Sequence, residues 1–286
     1  CQNSIKKRFN GRVETGGNAG PANHPEPAVT AHRPRKRFGQ HFLHDPGIIR
    51  RIVDAVAPQP KQALIEIGPG TGVLTEPLLA AAGILTAVEV DRDLAGALRT
   101  RLGDRGLDVV CEDVLKFDFS RADEKWRVVG NLPYNISTPL IFHLLKSAGS
   151  IADAHVMVQK EVAQRMAAAT STADYGRLSV MLSLYTRVEI LFNVGPGAFN
   201  PPPKVDSSVV RLTPHRDSPV ALQSVGDFSE LVRRAFAQRR KTMRRILSGT
   251  LSVEELERCG VDPMSRPEVL SLEDFARLSD AITNHT

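Results

Sequence analysis

Cysteine is scarce. Cys1, Cys111 and Cys259 lie too far apart for a metal-binding or thiol–disulfide motif. Cys111 falls in an apolar, strand-like stretch and Cys259 in a helical pattern, so both read as reduced packing residues and the expected location is cytoplasmic. No apolar run approaches the ~20 residues of a membrane span. The N-terminal segment lacks the apolar core of a secretory signal. It also lacks hydrophobic periodicity: Gly16, Gly17, Pro21, Pro25 and Pro27 punctuate it, and residues 1–33 read as a disordered arm. Lys6, Lys7, Arg8 and Arg12 with few acids leave a transit-peptide reading open. Also missing is the third glycine of a dinucleotide-binding G-x-G-x-x-G loop, whose position is taken by Val73.

What is present is a 286-residue chain, long enough for one sizeable domain and a small one, with an ordinary 42% of hydrophobic residues. Its net charge of +5 is a bias towards a polyanionic partner. Arg35, Lys36 and Arg37, followed by aromatics, fit a phosphate-contacting run, or else a solvated charge cluster before a helix. Asp45 and Pro46 then have the chemistry of an N-cap and first helical residue, for a helix through Ala57.

Residues 63–67 form a short apolar strand interrupted by Glu66, running into Gly68-Pro69-Gly70-Thr71-Gly72 and a helix through Leu74, Leu78 and Leu79. Strand, glycine turn and helix are the context in which backbone approaches a nucleotide closely. A second strand, 84–90, brings Glu89 and Asp91, and an acid there can accept hydrogen bonds from both ribose hydroxyls. A third, 107–111, ends in Glu112-Asp113-Val114. Asp113 can accept from an adenine amine with Val114 on the ring, or act simply as an N-cap or turn residue. A dinucleotide is a competing ligand. The spacing G-x-G-x-G behind a negative Glu66 better suits an amino-acid-bearing cation than a pyrophosphate, which favours S-adenosylmethionine.

The stretch Val128 to Pro139 ends a fourth strand, with Gly130 expected to turn the chain. The amine of adenine is a poor nucleophile because its lone pair is delocalised into the ring. Acceptors beside it, the Asn131 side-chain oxygen and the Leu132 carbonyl, can hold both N–H bonds and turn the lone pair towards an electrophile, while Pro133 stiffens the turn and Tyr134 offers a stacking face. Catalysis of that kind is positioning and electrostatics, needing no strong base before attack. The plain alternative is a strand-end Asn followed by a proline turn.

Taken together, RKRFGQHFL, EIGPGTG, VEVDRDL, EDVLKFD, VGNLPYNISTPL, QKEVAQRM, YGRLSVMLSLY, FNPPPKVDSSVVRL and FAQRRKTMRRIL closely resemble the KsgA-type small-subunit (16S) rRNA adenine N6-dimethyltransferases, from Arg35 onwards. The resemblance implies an α/β fold, a Rossmann-like S-adenosylmethionine-dependent methyltransferase sheet with helices on both faces, plus a small all-helical C-terminal domain. It implies cofactor contacts at His41, Leu43, Gly68, Gly70, Glu89, Asp113 and Asn131, with His41 standing where the family usually has Asn. The catalytic set implied is Asn131, Leu132, Pro133, Tyr134 and Phe199, the last sandwiching the target base with Tyr134; Phe199 read alone is also a loop anchor for the core. The expected reaction is dimethylation of two adjacent adenines in a terminal loop of small-subunit rRNA, with the assembling 30S subunit as partner, by a monomer. The target base must be unstacked to reach Asn131. The rival readings are the related macrolide-resistance methyltransferase of large-subunit rRNA and a nucleic-acid-binding relative without turnover.

Downstream, the expected pattern is a helix from Ser137, a strand over 153–159, a helix over 160–168, an apolar helix over 178–185, and two strands, 188–194 and 208–212, closing the sheet. His143 and His155 have apolar surroundings and read as packing residues. The expected domains are 34–213 for the methyltransferase, 214–226 as linker and 227–286 as a helical RNA-binding domain. There Arg239, Arg240, Lys241 and Arg244 are spaced to form one continuous basic helical face over 239–245.

Overall fold

A computed structural model describes residues 41–285. Arg35, Lys36 and Arg37 and the expected N-terminal arm lie outside the described residues. The sheet grows from β2 (Leu64–Ile67), β3 (Leu85–Glu89), β4 (Leu107–Cys111), β5 (Trp126–Asn131) and β6 (Ile151–Gln159), all parallel, and is completed by β7 (Thr186–Val194), which runs the same way at the edge, and β9 (Ser207–Pro214), which is antiparallel to β6 and β7 on either side of it. A separate two-stranded ribbon pairs β1 (Phe42–Leu43) with β8 (Phe199–Asn200). The order in the large sheet is β4-β3-β2-β5-β6-β9-β7. From β2 the chain adds strands one way through β3 and β4, then returns to add β5 and β6 on the other side. The crevice at that reversal is where an open α/β sheet holds its ligand.

Alternating side chains show why the sheet is covered twice. Along β5, Val128 belongs to one apolar cluster and Val129 to the other; along β2, Ile65 and Leu64 divide the same way. The cluster containing Val129 is filled by α1 (Pro46–Val56), α2 (Thr75–Ala82) and α3 (Arg92–Leu102). The opposite cluster is filled by α4 (Ser137–Lys146), α5 (Lys160–Met166), α6 (Arg177–Tyr185) and the C-terminal helices. Strands buried on both faces read as continuous apolar runs, so the single acid in Leu64-Ile65-Glu66-Ile67 stands out.

Asp45 caps α1 by accepting from the amides of Gly47 and Ile48, as its sequence chemistry predicts. The helix α3 has no counterpart among the sequence expectations. Its arginines and Gly96 dilute the pattern, yet Leu94, Leu98 and Leu102 recur every four residues and are buried, and Asp91 caps it. Gly130 also differs from expectation. It sits inside β5 rather than in a turn, and a β-carbon there would stand 2.7 Å from the Ile67 carbonyl oxygen of the neighbouring strand. Its role is close approach of β2 and β5. Cys111, expected to pack, is exposed at the end of edge strand β4.

Beyond β9 come α7 (Val225–Ala237), α8 (Met243–Ile246), α9 (Val253–Arg258) and α10 (Leu272–Thr283). Phe228, Leu231, Met243, Leu256 and Phe275 are all buried in the same cluster as α4 and α6. The Tyr175 hydroxyl, just before α6, donates to the Leu270 carbonyl at 2.9 Å. Residues 239–245 are not one helix. The α7 helix stops at Ala237, a turn closed by Lys241 N–H donating to Gln238 O follows, and α8 starts again at Met243. Met243 must enter the core, and the break turns it inward while Ser265 and Pro263 accept the amides of Met243 and Arg244.

Candidate active site

The carboxyl ends of β2, β3, β4 and β5, with the chain leading into β1, enclose a cavity of about 270 Å³. Its walls include His41, Leu43, Glu66, Gly68, Gly70, Glu89, Asp113, Asn131, Leu132, Pro133 and Tyr134. The fold therefore gathers every described residue expected to bind cofactor or act on the amine, with one exception.

That exception is Phe199. It is 3% exposed, pairs with Leu43 across the β1–β8 ribbon, belongs to the core beside α1 and α2, and does not line the cavity. In this arrangement Phe199 takes the place that the loop-anchor alternative describes. The ring beside Tyr134 is instead His41, at 5.5 Å between centroids and a 30° tilt.

Glycine at position 70 is required twice over: φ is +58°, and a β-carbon would press on the Phe42 ring at 3.1 Å. The Gly70 amide donates to Glu89 Oε2 at 3.1 Å, and the Asp91 amide to Glu89 Oε1 at 2.9 Å. Glu89 is 5% exposed. Burial pushes its carboxyl up from the usual value, opposed by those backbone donors. Asp113 serves both of its readings: one oxygen accepts from Leu115 N at 3.0 Å, capping a short 3-10 turn, and the residue still lines the cavity with Val114.

On the opposite wall, Asn131 Nδ2 donates to the His41 carbonyl at 3.1 Å, which leaves Oδ1 as the acceptor. The Leu132 amide is engaged by Met157 O at 3.0 Å, fixing the peptide that follows β5, and Ile136 N closes the turn on Pro133 O at 3.1 Å. The Tyr134 hydroxyl shares a hydrogen with Ser207 Oγ at 2.8 Å, and burial pushes that phenol up. His41 Nδ1 lies 2.8 Å from Pro201 O, so the imidazole side chain is tied to the loop after β8.

Glu66 was legible only as the acid before the glycine loop. In the fold it is 1% exposed and lines the cavity, and its Oε2 makes no hydrogen bond. Burial pushes its carboxyl up to about 8; the Thr75 hydroxyl pulls the other way without reaching hydrogen-bonding geometry, and Glu89 adds to the rise. Glu112 also lines the cavity, paired with Arg121 at 3.3 Å. The donor set therefore fits a ligand with vicinal hydroxyls, a flat amine-bearing ring against Val90 and Val114, and a cationic group, which are the parts of S-adenosylmethionine.

Elsewhere, Arg239 is held within the protein by Glu268 at 2.8 Å and the Ala173 carbonyl at 2.8 Å. Arg240, Lys241 and Arg244 are exposed, as is Arg245, without an ion-pair partner among the described residues. His143 bonds the Phe117 carbonyl at 2.9 Å and His155 accepts from Arg211 at 3.0 Å, both as parts of the packing.

The family model for ribosomal RNA adenine dimethylases matches residues 31–284. Ribosomal RNA small subunit methyltransferase A of Hahella chejuensis is 51% identical over 258 residues, 89% of this chain and 94% of that protein. The protein of the same name from Nitrosococcus oceani is 54% identical over 252 residues, 87% and 96% of the two chains. Among solved structures, a dimethyladenosine transferase from Plasmodium falciparum superposes with a TM-score of 0.73 at 30% identity, covering 83% of this chain and 96% of that one. The 23S rRNA methyltransferase ErmE superposes with a TM-score of 0.67 at 27% identity, covering 85% and 99%. With the family model spanning nearly the whole described length and relatives of that kind about half identical to it, this chain belongs to the ribosomal RNA adenine dimethylase family.

Proposed function

We propose that this protein transfers methyl groups from S-adenosylmethionine to N6 of two adjacent adenines in a terminal loop of small-subunit (16S) rRNA, twice per base, acting as a monomer on the assembling 30S subunit in the cytoplasm. The observation that carries this reading is the corner at the end of β5, where Asn131 and Leu132 face the same cavity as Glu89 and Asp113. The roughly 50% identity to relatives named for the small subunit supports that substrate over the large one.

Bound in the cavity, S-adenosylmethionine supplies a methyl group activated on a sulfonium. Glu89 would hold the ribose hydroxyls, its own orientation fixed by Gly70 and Asp91. Asp113 would accept from the cofactor's ring amine. Because Asn131 Nδ2 is engaged by the His41 carbonyl, Oδ1 is the atom offered to the target amine, together with the Leu132 carbonyl. Two acceptors on two N–H bonds orient the lone pair, and a preset acceptor costs no reorganisation at the moment of transfer. Tyr134 would stack on the flipped base, its ring held by Ser207. Arg240, Lys241 and Arg244, with Arg35, Lys36 and Arg37, would meet phosphates.

The test is methyl transfer from labelled cofactor to small subunits lacking the modification, with large-subunit rRNA in parallel. Dimethylation of two adjacent adenines in the small-subunit RNA is expected. Modification of large-subunit rRNA instead overturns the substrate, and binding without turnover overturns the enzyme.

A further inference from the structure

One buried acid of the cavity has no task in the transfer of the methyl group. Glu66 lies in β2 among three buried aliphatic neighbours, shares the face of Leu64 and lines the cavity, while its buried Oε2 makes no hydrogen bond. An ionised carboxylate at such a place needs a cation or several donors beside it.

Among the described residues, none is supplied. The titratable groups around the cavity are Glu89 from β3, Glu112 and Asp113 after β4, Tyr134 after β5 and His41 before β1. From α2 the near group is the Thr75 hydroxyl, which is not in bonding geometry. From α3, Arg101 is engaged outside, on the Thr71 carbonyl at 2.7 Å and Glu76 at 3.2 Å. Glu89 makes a negative charge on Glu66 harder to hold, not easier. The two acids are thus differently equipped. Glu89 has two backbone N–H donors, which suits hydroxyl ligands; Glu66 has a buried oxygen with no donor on it, so its carboxyl still lacks a partner that would hold a charge.

We propose that Glu66 is a proton-exchanging anchor for the cofactor: it stands as a neutral carboxylic acid when the cavity holds no cofactor, and gives its proton to solvent when the ammonium of the cofactor's amino-acid tail arrives beside its carboxyl. This rests on the reading of the cavity as an S-adenosylmethionine site. The balance is simple: the ammonium arrives already protonated, one O–H bond of Glu66 is broken, and one proton leaves the protein for each cofactor bound. The rise of the Glu66 carboxyl to about 8 is in accord with a neutral acid at physiological pH. Cofactor affinity then tightens as pH rises through neutrality, because the proton competes with the ammonium.

The experiment is calorimetric titration of the full chain at pH 6.5 in buffers of different ionisation enthalpy. At that pH an α-amino group, with an ordinary pKa of about 7.7–8.0, is already charged. Three probes are compared: S-adenosylmethionine, S-adenosylhomocysteine, which keeps the tail but lacks the positive sulfur, and 5′-methylthioadenosine, which lacks the tail. Release of about one proton is expected with the first two and none with the third. Glu66→Gln should still bind S-adenosylmethionine, more weakly by about tenfold or more, with no proton released. Binding of S-adenosylmethionine without proton release overturns the proposal, as does equal release with methylthioadenosine or an undiminished release in Glu66→Gln. The parent's response to the three probes decides the matter even if the variant fails to fold. Failure of the parent to bind S-adenosylmethionine at all sinks the cofactor reading itself, a different result from binding without release.

Discussion

At the scale of single residues, Asn131 works through both ends of its amide. Nδ2 pins the His41 carbonyl and so aims Oδ1. Asn131→Ala removes the acceptor and the clamp together, and single-turnover methyl transfer should fall by on the order of 10²–10³ with the fold intact. Asn131→Asp keeps an acceptor but sets a carboxylate oxygen against the His41 carbonyl, so it should not rescue the rate. An aspartate variant as fast as the parent would show that the His41 contact has no part in positioning.

Glu66 gives a second residue-scale expectation, one of stability. Its folded value lies above its unfolded value of 4.5, so between 4.5 and about 8 the folded chain keeps a proton that the unfolded chain has released. Stability of the cofactor-free protein therefore declines as pH rises across that window. Glu89 is shifted the same way and adds to the decline. Glu66→Gln should flatten the slope of Tm against pH over pH 5 to 8, measured without cofactor. An unchanged slope would mean that Glu66 is ionised in the folded protein.

At the scale of elements, the far end of the sheet from the cavity is sewn by Arg127, at the start of β5. Its guanidinium forks onto Asp153 with contacts of 3.0, 3.1 and 2.8 Å. The same group donates to the carbonyls of Val56 at 2.6 Å and Ala57 at 3.3 Å, closing the C-terminus of α1. Burial alone would raise the Asp153 carboxyl, yet His155 and Arg127 together hold it below its ordinary value. The stabilisation this represents is present above the unfolded value of 3.8 and is lost as pH falls through the folded one. Arg127→Met leaves Asp153 without its main partner and should cost about 2–4 kcal/mol in urea unfolding, near the low end for breaking a buried pair because both groups keep some exposure to solvent. Cofactor affinity should be unaffected, since none of these residues lines the cavity.

At the scale of the molecule, the C-terminal helices pack on the face of the sheet opposite α1–α3, and their core is continuous with α4 and α6. The exposed cations of this part include Arg240, Lys241 and Arg244, presented by a turn and a short helix rather than one long face. Replacing the three by Ala should weaken binding to small-subunit rRNA and lower the slope of log K against log salt by up to ~3, about one for each phosphate left without its cation. Cofactor binding by calorimetry should not change. A salt slope equal to the parent's would make this surface merely solvated.

The sequence by itself determined the parts governed by local chemistry: the apolar strands, the glycine loop after β2, the acid at the end of β3, the Asp45 cap and the Asn131 corner. Each is a short run whose residue types admit few backbone alternatives. What only the tertiary structure decided are matters of direction and distance between segments remote in sequence. Phe199 and Tyr134 are both aromatic residues next to proline loops; pairing of β8 with β1 sends one into the core while the other stays on the cavity. Arg239 and Arg240 are neighbours in a basic run; Glu268, brought alongside by packing of the C-terminal segment, takes one and leaves the other. Gly130 looks like a turn residue until β2 lies beside it. Glu66 is one letter in an apolar strand, and its proton depends on which groups stand around the cavity, a property of five chain segments that meet only in the folded protein.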